Sequence, residues 1–331
     1  MAGNNSWKEH LLKSGIPLEF EIKRFLDSKG CVSNFEYTYL RANEAEIPTE
    51  FSYDISSTYI LKHHFIDLMI ECKYRHESTK WVFLPEEYGG PDEIGHTSFM
   101  HKNSHFNRNA GYSRFISEHP LQFAPLCSKG IELNTDGPNP KTITQAINQL
   151  SYAMAERIVD GMHHQTDIVL SEHFGGTDFY NIPIIVTTAK LYRIKEGADI
   201  DTIKATEKIE EVSEIASYLV VKSKPGIALE TYNNRIFKSF IDEHGKENLE
   251  KRLHSFNKDL EFVMTVIAKE YCPSSIVVIH YSKERNGFED FFNYIDNVLY
   301  PNEETVALME KRTDELQSMI NKFKSKKSFD K

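Results

Sequence analysis

Phe65-Ile66-Asp67-Leu68-Met69-Ile70-Glu71-Cys72-Lys73-Tyr74 is the stretch on which the reading of this chain turns. Apolar and polar residues alternate along it, the period of a strand with one buried face. Ile66, Leu68, Ile70 and Cys72 point one way, and Asp67, Met69, Glu71 and Lys73 the other. The strand therefore ends in a carboxylate and an ammonium on one face. Such a pair is costly at the edge of a buried sheet unless it is paired or used. Just upstream, Phe51 to Leu61 reads as another strand and carries Asp54 within Glu50-Phe51-Ser52-Tyr53-Asp54-Ile55. If the two strands pair antiparallel, Asp54 comes beside Glu71. Two carboxylates at that distance disfavour each other's charge, and a divalent cation relieves the repulsion. Hard oxygen donors with room for water suit Mg²⁺ or Mn²⁺. Lys73 then orients an attacking water or stabilises developing charge. Asp67 shares the face of Glu71 but lies roughly 13 Å back along the strand, too far to join it. The alternative is an ion-pair group that only stabilises the strand end.

Outward from this stretch the pattern is helical, then extended. Pro17 suits a first helical position and Gly30 a stop, with Leu18, Ile22, Phe25 and Leu26 at helical spacing between them. Cys31 to Leu40 reads as a strand, Asn43 to Thr49 as a loop, and Trp81 to Leu84 as a short strand. From Pro85 to His119 no periodicity lasts, and the segment reads as an inserted loop. It holds His96, His101, Lys102, His105, Arg108 and Arg114, with Phe106, Tyr112 and Phe115 interleaved. Positive groups among aromatics suit a nucleic-acid strand or a lid, so Lys102, Arg108 and Arg114 are nucleic-acid-binding candidates against the plainer reading of a polar surface loop. His101 and His105 have zinc spacing if helical, but no cysteine or acid nearby completes the set.

Beyond a strand near Ser128 to Leu133 comes a strong helix with Ile143, Ala146, Ile147, Leu150, Met154 and Ile158 as its apolar stripe. Gln145, Gln149 and Tyr152 share another face. Asn181 to Arg193 reads as one strand, and Ile200 to Leu219 as a charged helix. Ile236 to Lys269 is mainly helical, Ser275 to Tyr281 an apolar strand, and Phe288 to Leu299 and Glu303 to Lys324 helices. The acidic run from Glu207 to Glu214 and the Lys-rich end from Lys322 read as solvated faces.

Composition narrows the classes. The 331 residues suffice for one large domain or two smaller ones. Four cysteines with no CxxC argue against a disulfide framework or a cysteine zinc site. There is no apolar stretch of membrane-spanning length and no signal-peptide core, so the expectation is a cytoplasmic protein with no membrane partner. A formal net charge of −10 argues against holding nucleic acid by bulk electrostatics, leaving a local basic strip as the means. GxSxG, the P-loop pattern GxxxxGK[ST] and GxGxxG are all absent from the sequence, and with them the chemistries they serve.

Glu-x-Lys alone is weak, because Glu21-Ile22-Lys23 and Asp27-Ser28-Lys29 share the acid-x-Lys form inside a helix. Its context carries more: helix, strand, strand with Asp54, then an apolar strand ending in Glu71-Cys72-Lys73. This order resembles the PD-(D/E)XK nuclease superfamily, the restriction-endonuclease-like fold, over roughly residues 10–195 and most strongly over 15–75. Asp54 matches the first motif, with Tyr53 where the proline would stand, and Glu71 and Lys73 match the second. Gly15-Ile16-Pro17-Leu18-Glu19 looks like the start of the first core helix, whose acidic residue lies near the metal. Glu19 and Glu21 flank the apolar stripe almost symmetrically, and Glu19 is preferred for its neighbours. The helix of Gln149 resembles the glutamine-bearing helix of several such families, and Ile184 to Leu191 a later core strand.

The resemblance implies a mixed α/β sheet flanked by helices. The 85–119 insertion and the mostly helical region over 196–331 have no counterpart in it, and the latter is expected to complete or extend the domain. It implies a Mg²⁺- or Mn²⁺-dependent endonuclease with Asp54 and Glu71 as metal ligands, Lys73 as catalytic partner, and Glu19 and Gln149 as further site residues. DNA comes ahead of RNA as substrate, a homodimer is the expected assembly, and a restriction or defence role goes with it. The alternative is a catalytically silent nucleic-acid-binding module of the same fold.

Overall fold

A computed structural model of the chain describes residues 6–42, 48–86, 99–106, 125–167, 177–254, 258–284 and 286–327. Arg108 and Arg114, with His96, Tyr112 and Phe115, lie outside the described residues. Helix α1 (Ser6–Lys13) leads into α2 (Ile16–Ser28). Gly15, in the left-handed region at φ 86°, makes the corner, and Pro17 lies in the first turn of α2. The stripe of α2 buries Leu18, Ile22 and Leu26. Three strands follow as an antiparallel meander, β1 (Val32–Ala42), β2 (Pro48–Leu61) and β3 (His64–Lys73). Pro48, expected in a loop, begins β2.

The remaining strands are β4 (Lys80–Pro85), β5 (His101–Lys102), β6 (Leu126–Asn134), β7 (Gly137–Asn139), β8 (Asp178–Thr187), β9 (Lys190–Ile194), β10 (Ser213–Ala216), β11 (Tyr218–Lys222) and β12 (Ser275–His280). The remaining helices are α3 (Lys141–Thr166), α4 (Ile200–Ala205), α5 (Ile209–Val212), α6 (Ile227–His244), α7 (Lys246–Arg252), α8 (Leu260–Glu270), α9 (Gly287–Leu299) and α10 (Glu303–Lys327). All the described strands join one mixed sheet in the order β1-β2-β3-β8-β12-β11-β6-β4-β9-β10, with β5 on β8 and β7 on β6.

Helices cover both faces. Leu18, Ile22 and Leu26 of α2 and Phe288, Phe291 and Ile295 of α9 share one core with Ile66, Leu68, Ile70 and Cys72 of β3. Residues of α3, α6, α7 and α8 share the other with Met69 and Ile185. The two-faced alternation expected for β3 is thus observed. The core of the sheet is β3, β8 and β12, all parallel. Strands covered on both faces read as continuous apolar runs, and β8 is buried without a break from Tyr180 to Thr187.

Two expectations need correction. Asn181 to Arg193 is not one strand: β8 ends at Thr187, the chain bends at Thr188 and Ala189, and β9 pairs with β4 and β10 instead. Ile200 to Leu219 is not one helix either, but α4, α5, β10 and the start of β11. Tertiary pairing overrides the local charge pattern there, since Val212 and Leu219 are buried and β10 adds to the edge of the sheet beside β9. The C-terminal region also does more than add helices, because β12 lies between β8 and β11. Among the described residues no helix is long and apolar enough to cross a membrane.

This topology makes a strand from the end of the chain central. Ile279→Ala in β12, fully buried, is expected to cost about 2–5 kcal/mol in urea unfolding. Ile215→Ala on edge strand β10 is 45% exposed and should cost less than about 1 kcal/mol. Equal costs would contradict the central position of β12.

Candidate active site

The site begins with a local break in the meander. Along β1 and β2 the register runs through Phe35↔Ile55 and Tyr37↔Tyr53 and skips the level of Glu36 and Asp54. Glu36 sits in the left-handed region at φ 54°, rare and mildly strained for a residue with a side chain. Both strands change face at this level. Ile55 packs in the core beneath α2, whereas Tyr53 packs in the core beneath α3. The pairing of β2 with β3 stops at Ile55↔Ile70, while β3 continues beside β8 to Lys73. The N–H of Cys72 therefore lacks a ladder partner on the β2 side, and it donates to Asp54 Oδ2 at 2.6 Å.

That bond sets Asp54 beside Glu71, as expected from the sequence. Glu71 is 1% exposed. Its Oε1 accepts from the Lys73 ammonium, and its Oε2 is buried with no hydrogen-bond partner. Burial, then the Asp54 carboxylate, push the Glu71 carboxyl up to about 7, against a smaller downward pull from Lys73. Burial likewise raises the Asp54 pKa, while the Cys72 N–H and Lys73 pull it down. Glu19 reaches the same field from the first turn of α2: burial and the Asp54 and Glu36 charges raise its pKa. Glu21, its rival in sequence, is exposed. Gly15 makes room for the Glu19 carboxylate, since a Cβ there would lie 3.0 Å from Glu19 Oε1.

The strand end is held from behind. Thr187 Oγ1 donates to the Lys73 carbonyl at 2.9 Å, and Thr188 Oγ1 bonds both the N–H and the carbonyl of Arg75 at 2.7 Å. Gln149 Nε2 donates to the Ser52 carbonyl at 3.4 Å, and the Gln149 carbonyl accepts from Tyr39 Oη at 3.1 Å. Gln149 thus steadies β1 and β2 beside the site. Asp67 is occupied elsewhere, by Arg157 at 3.1 Å and Thr58 at 2.7 Å.

Other candidates fall away from this cluster. Lys102 pairs with Asp178 at 2.8 Å, at the opposite end of β8 from Thr187. The described part of the insertion is no solvated loop, because Met100, His101, Asn103 and Phe106 are buried and β5 extends the sheet along β8. His101 is not free for zinc: one ring nitrogen lies 3.2 Å from the Asn181 carbonyl and the other accepts from the Ser274 N–H at 3.0 Å. Burial lowers His101 and His105 to about 4.

Sequence reasoning missed Glu36, and it placed Gly15 at the start of the helix without its role beside the Glu19 carboxylate. An acid inside the aromatic run Phe35-Glu36-Tyr37 was the available signal for the first, and the glycine before Pro17 for the second.

The oxygens of Glu19, Asp54 and Glu71 do not all lie within 4.8 Å of one another. The donors nevertheless fit a hard divalent cation. All are carboxylates, the Asp54 charge raises the pKa of both Glu19 and Glu71, and Glu71 Oε2 is a buried acceptor without a donor. Set beside models of known families, curated proteins and solved structures, the chain matches none.

The raised Glu71 pKa has a signed consequence. A carboxyl titrating higher in the folded state gives its full stability below its ordinary value of 4.5, and that stability is lost as pH rises through about 7. In chelator, unfolding free energy should fall between pH 5 and 7.5 by on the order of 1–3 kcal/mol more in the native protein than in Glu71→Gln. Parallel pH profiles in urea melts would remove Glu71 as the source.

Proposed function

We propose that this chain is a metal-dependent nuclease that hydrolyses phosphodiester bonds, with a core of the PD-(D/E)XK, restriction-endonuclease-like kind. One observation carries the reading: Asp54 is fixed by the Cys72 N–H between Glu71 and Lys73, with a buried Glu71 oxygen left open. The order of elements supports it as well, α2 followed by the β1-β2-β3 meander, then α3, then β8 parallel beside β3.

Asp54 and Glu71 would hold Mg²⁺ or Mn²⁺, with Glu19 adding charge at the rim. The ion would supply charge neutralisation for the phosphoryl oxygens and a lower pKa for water. Lys73 is the catalytic cation. Its ammonium, now on Glu71 Oε1, turns toward the phosphate when that carboxylate is engaged. There it orients the attacking water and offsets charge as the new P–O bond forms and the ester P–O bond breaks. The attacking water gives up a proton to solvent, and the leaving oxygen takes one from solvent as it departs. Gln149 acts through Ser52 and is a positioning residue. DNA is the substrate we assign, ahead of RNA, with cleavage as a homodimer in a restriction or defence setting; these follow the resemblance, and a cytoplasmic location follows the sequence reading. Nearby, Arg41 lies over the Tyr152 ring at 3.7 Å and the Phe51 ring at 5.2 Å. That cation on an aromatic platform suits a nucleic-acid backbone better than Lys102 does.

Duplex, single-stranded and RNA substrates incubated with Mg²⁺, Mn²⁺ or chelator test the reading. Cleavage should require the metal. It should fall about 100-fold or more in Asp54→Asn, Glu71→Ala and Lys73→Ala, and about tenfold in Gln149→Ala, with circular dichroism unchanged. No cleavage of any substrate under any metal, with nucleic acid still bound, would leave a silent binding module.

A further inference from the structure

The C-terminal ends of α3 and α6 bring together two histidines far apart in the chain. His163 Nδ1 lies 2.8 Å from His244 Nε2. Glu243 completes a group: one ligand atom from each of His163, Glu243 and His244 lies within 4.8 Å of the other two, the one such group of His, Cys, Asp and Glu among the described residues. Phe240 packs against both rings, with centroids 5.1 Å from His163 and 4.7 Å from His244. The rings are half-buried and the carboxylate is exposed. This cluster lies roughly 21 Å along α3 from Gln149, at 1.5 Å per residue.

We propose that His163, Glu243 and His244 form a binding site for a divalent transition ion of the zinc class, with water in the fourth position. Two imidazoles and one carboxylate are a borderline donor set that favours such ions over Mg²⁺. Nitrogens bound to one tetrahedral ion at ordinary bond lengths sit about 3.3 Å apart, so the present pair need only open by about half an ångström. Ligation needs neutral rings, and burial followed by the neighbouring His163 lowers the His244 pKa. Arg252 adds an opposing charge near His244, but its guanidinium is tied to the Thr166 and Gln165 carbonyls at the end of α3. Glu243 offsets that charge.

The ion would brace α3 to α6. It would also steady the buried segment 103–106, since Phe106 packs on Phe240 at 5.8 Å and its N–H donates to Gln165 Oε1 at 3.0 Å. The proposal does not depend on the nuclease reading, because its ligands are different residues with different donor chemistry.

The test uses the full chain, stripped with chelator and titrated with Zn²⁺ by calorimetry, beside His244→Ala, Glu243→Gln and Glu71→Gln. One equivalent should bind to the native protein and to Glu71→Gln with excess Mg²⁺ present. Binding should vanish in His244→Ala and weaken about tenfold or more in Glu243→Gln. Co²⁺ should give the visible absorption of a four-coordinate site in the native protein and not in His244→Ala. If His244→Ala fails to fold, the exposed Glu243→Gln decides. No Zn²⁺ binding at micromolar concentration, or an equivalent that survives both substitutions and disappears in Glu71→Gln, would overturn the proposal.

Discussion

The hydrogen bond from the Cys72 N–H to Asp54 Oδ2 is the interaction on which the candidate site depends. A buried backbone donor must find an acceptor, and leaving one unmade costs about 1–3 kcal/mol. In an unbroken ladder a backbone carbonyl of β2 would serve. Here β1 and β2 change face at Glu36 and Asp54, the ladder to β3 ends at Ile55, and the side chain of Asp54 takes over. The fold thus needs an acceptor at position 54, and an acceptor that bonds the peptide between Ile70 and Lys73 is held on the flank of Glu71. The strain at Glu36 belongs to the same device, since a regular β1–β2 pair would keep Tyr53 and Ile55 in one core.

What that geometry creates is electrostatically unfavourable. Glu71 is almost completely buried, near two other acids, with one charged partner in Lys73. One ammonium satisfies one oxygen and leaves the other bare. Burial first, and then repulsion from Asp54, favour the protonated form and push the carboxyl up to about 7. A structural ion pair needs no third carboxylate, and two acids facing one lysine are poor material for stability alone. The excess negative charge matches a divalent cation. The chain as a whole is acidic, so any attraction for an anion would have to be local.

How far the sequence carries the site follows from distance along the chain. Asp54, Glu71 and Lys73 were legible because strand alternation fixes which side chains share a face, and a short hairpin brings neighbouring strands together. Glu19 was legible only as one of two, since a helix angle cannot separate Glu19 from Glu21; Gly15 and the face switch decide it. The switch itself left no pattern, because Tyr53 and Ile55 have the parity of a regular strand. The fused reading of Asn181 to Arg193 failed because a bend at Thr188 and Ala189 interrupts neither hydrophobicity nor β propensity. His101 carried a metal spacing, but its ring nitrogens go to backbone groups of Asn181 and Ser274, partners no local window contains. His163 and His244 were invisible for the same reason.

The C-terminal half is therefore structural support for the site as well as an extension of the sheet. β12 completes the second edge of β8, and the N–H of Tyr281, just beyond it, donates to the Thr187 carbonyl at 2.9 Å. Thr187 and Thr188 in turn hold the Lys73 carbonyl and both backbone groups of Arg75. His280 Nδ1 lies 2.9 Å from the Ala189 carbonyl and ties down the bend that follows. Without β12, the C-terminal end of β8 would be an unpaired edge, and the end of β3 that carries Glu71 and Lys73 would rest on a less firmly held neighbour. A cluster that works through a few ångströms of placement needs such a backing. In this chain, residues some two hundred positions downstream of Glu71 supply it.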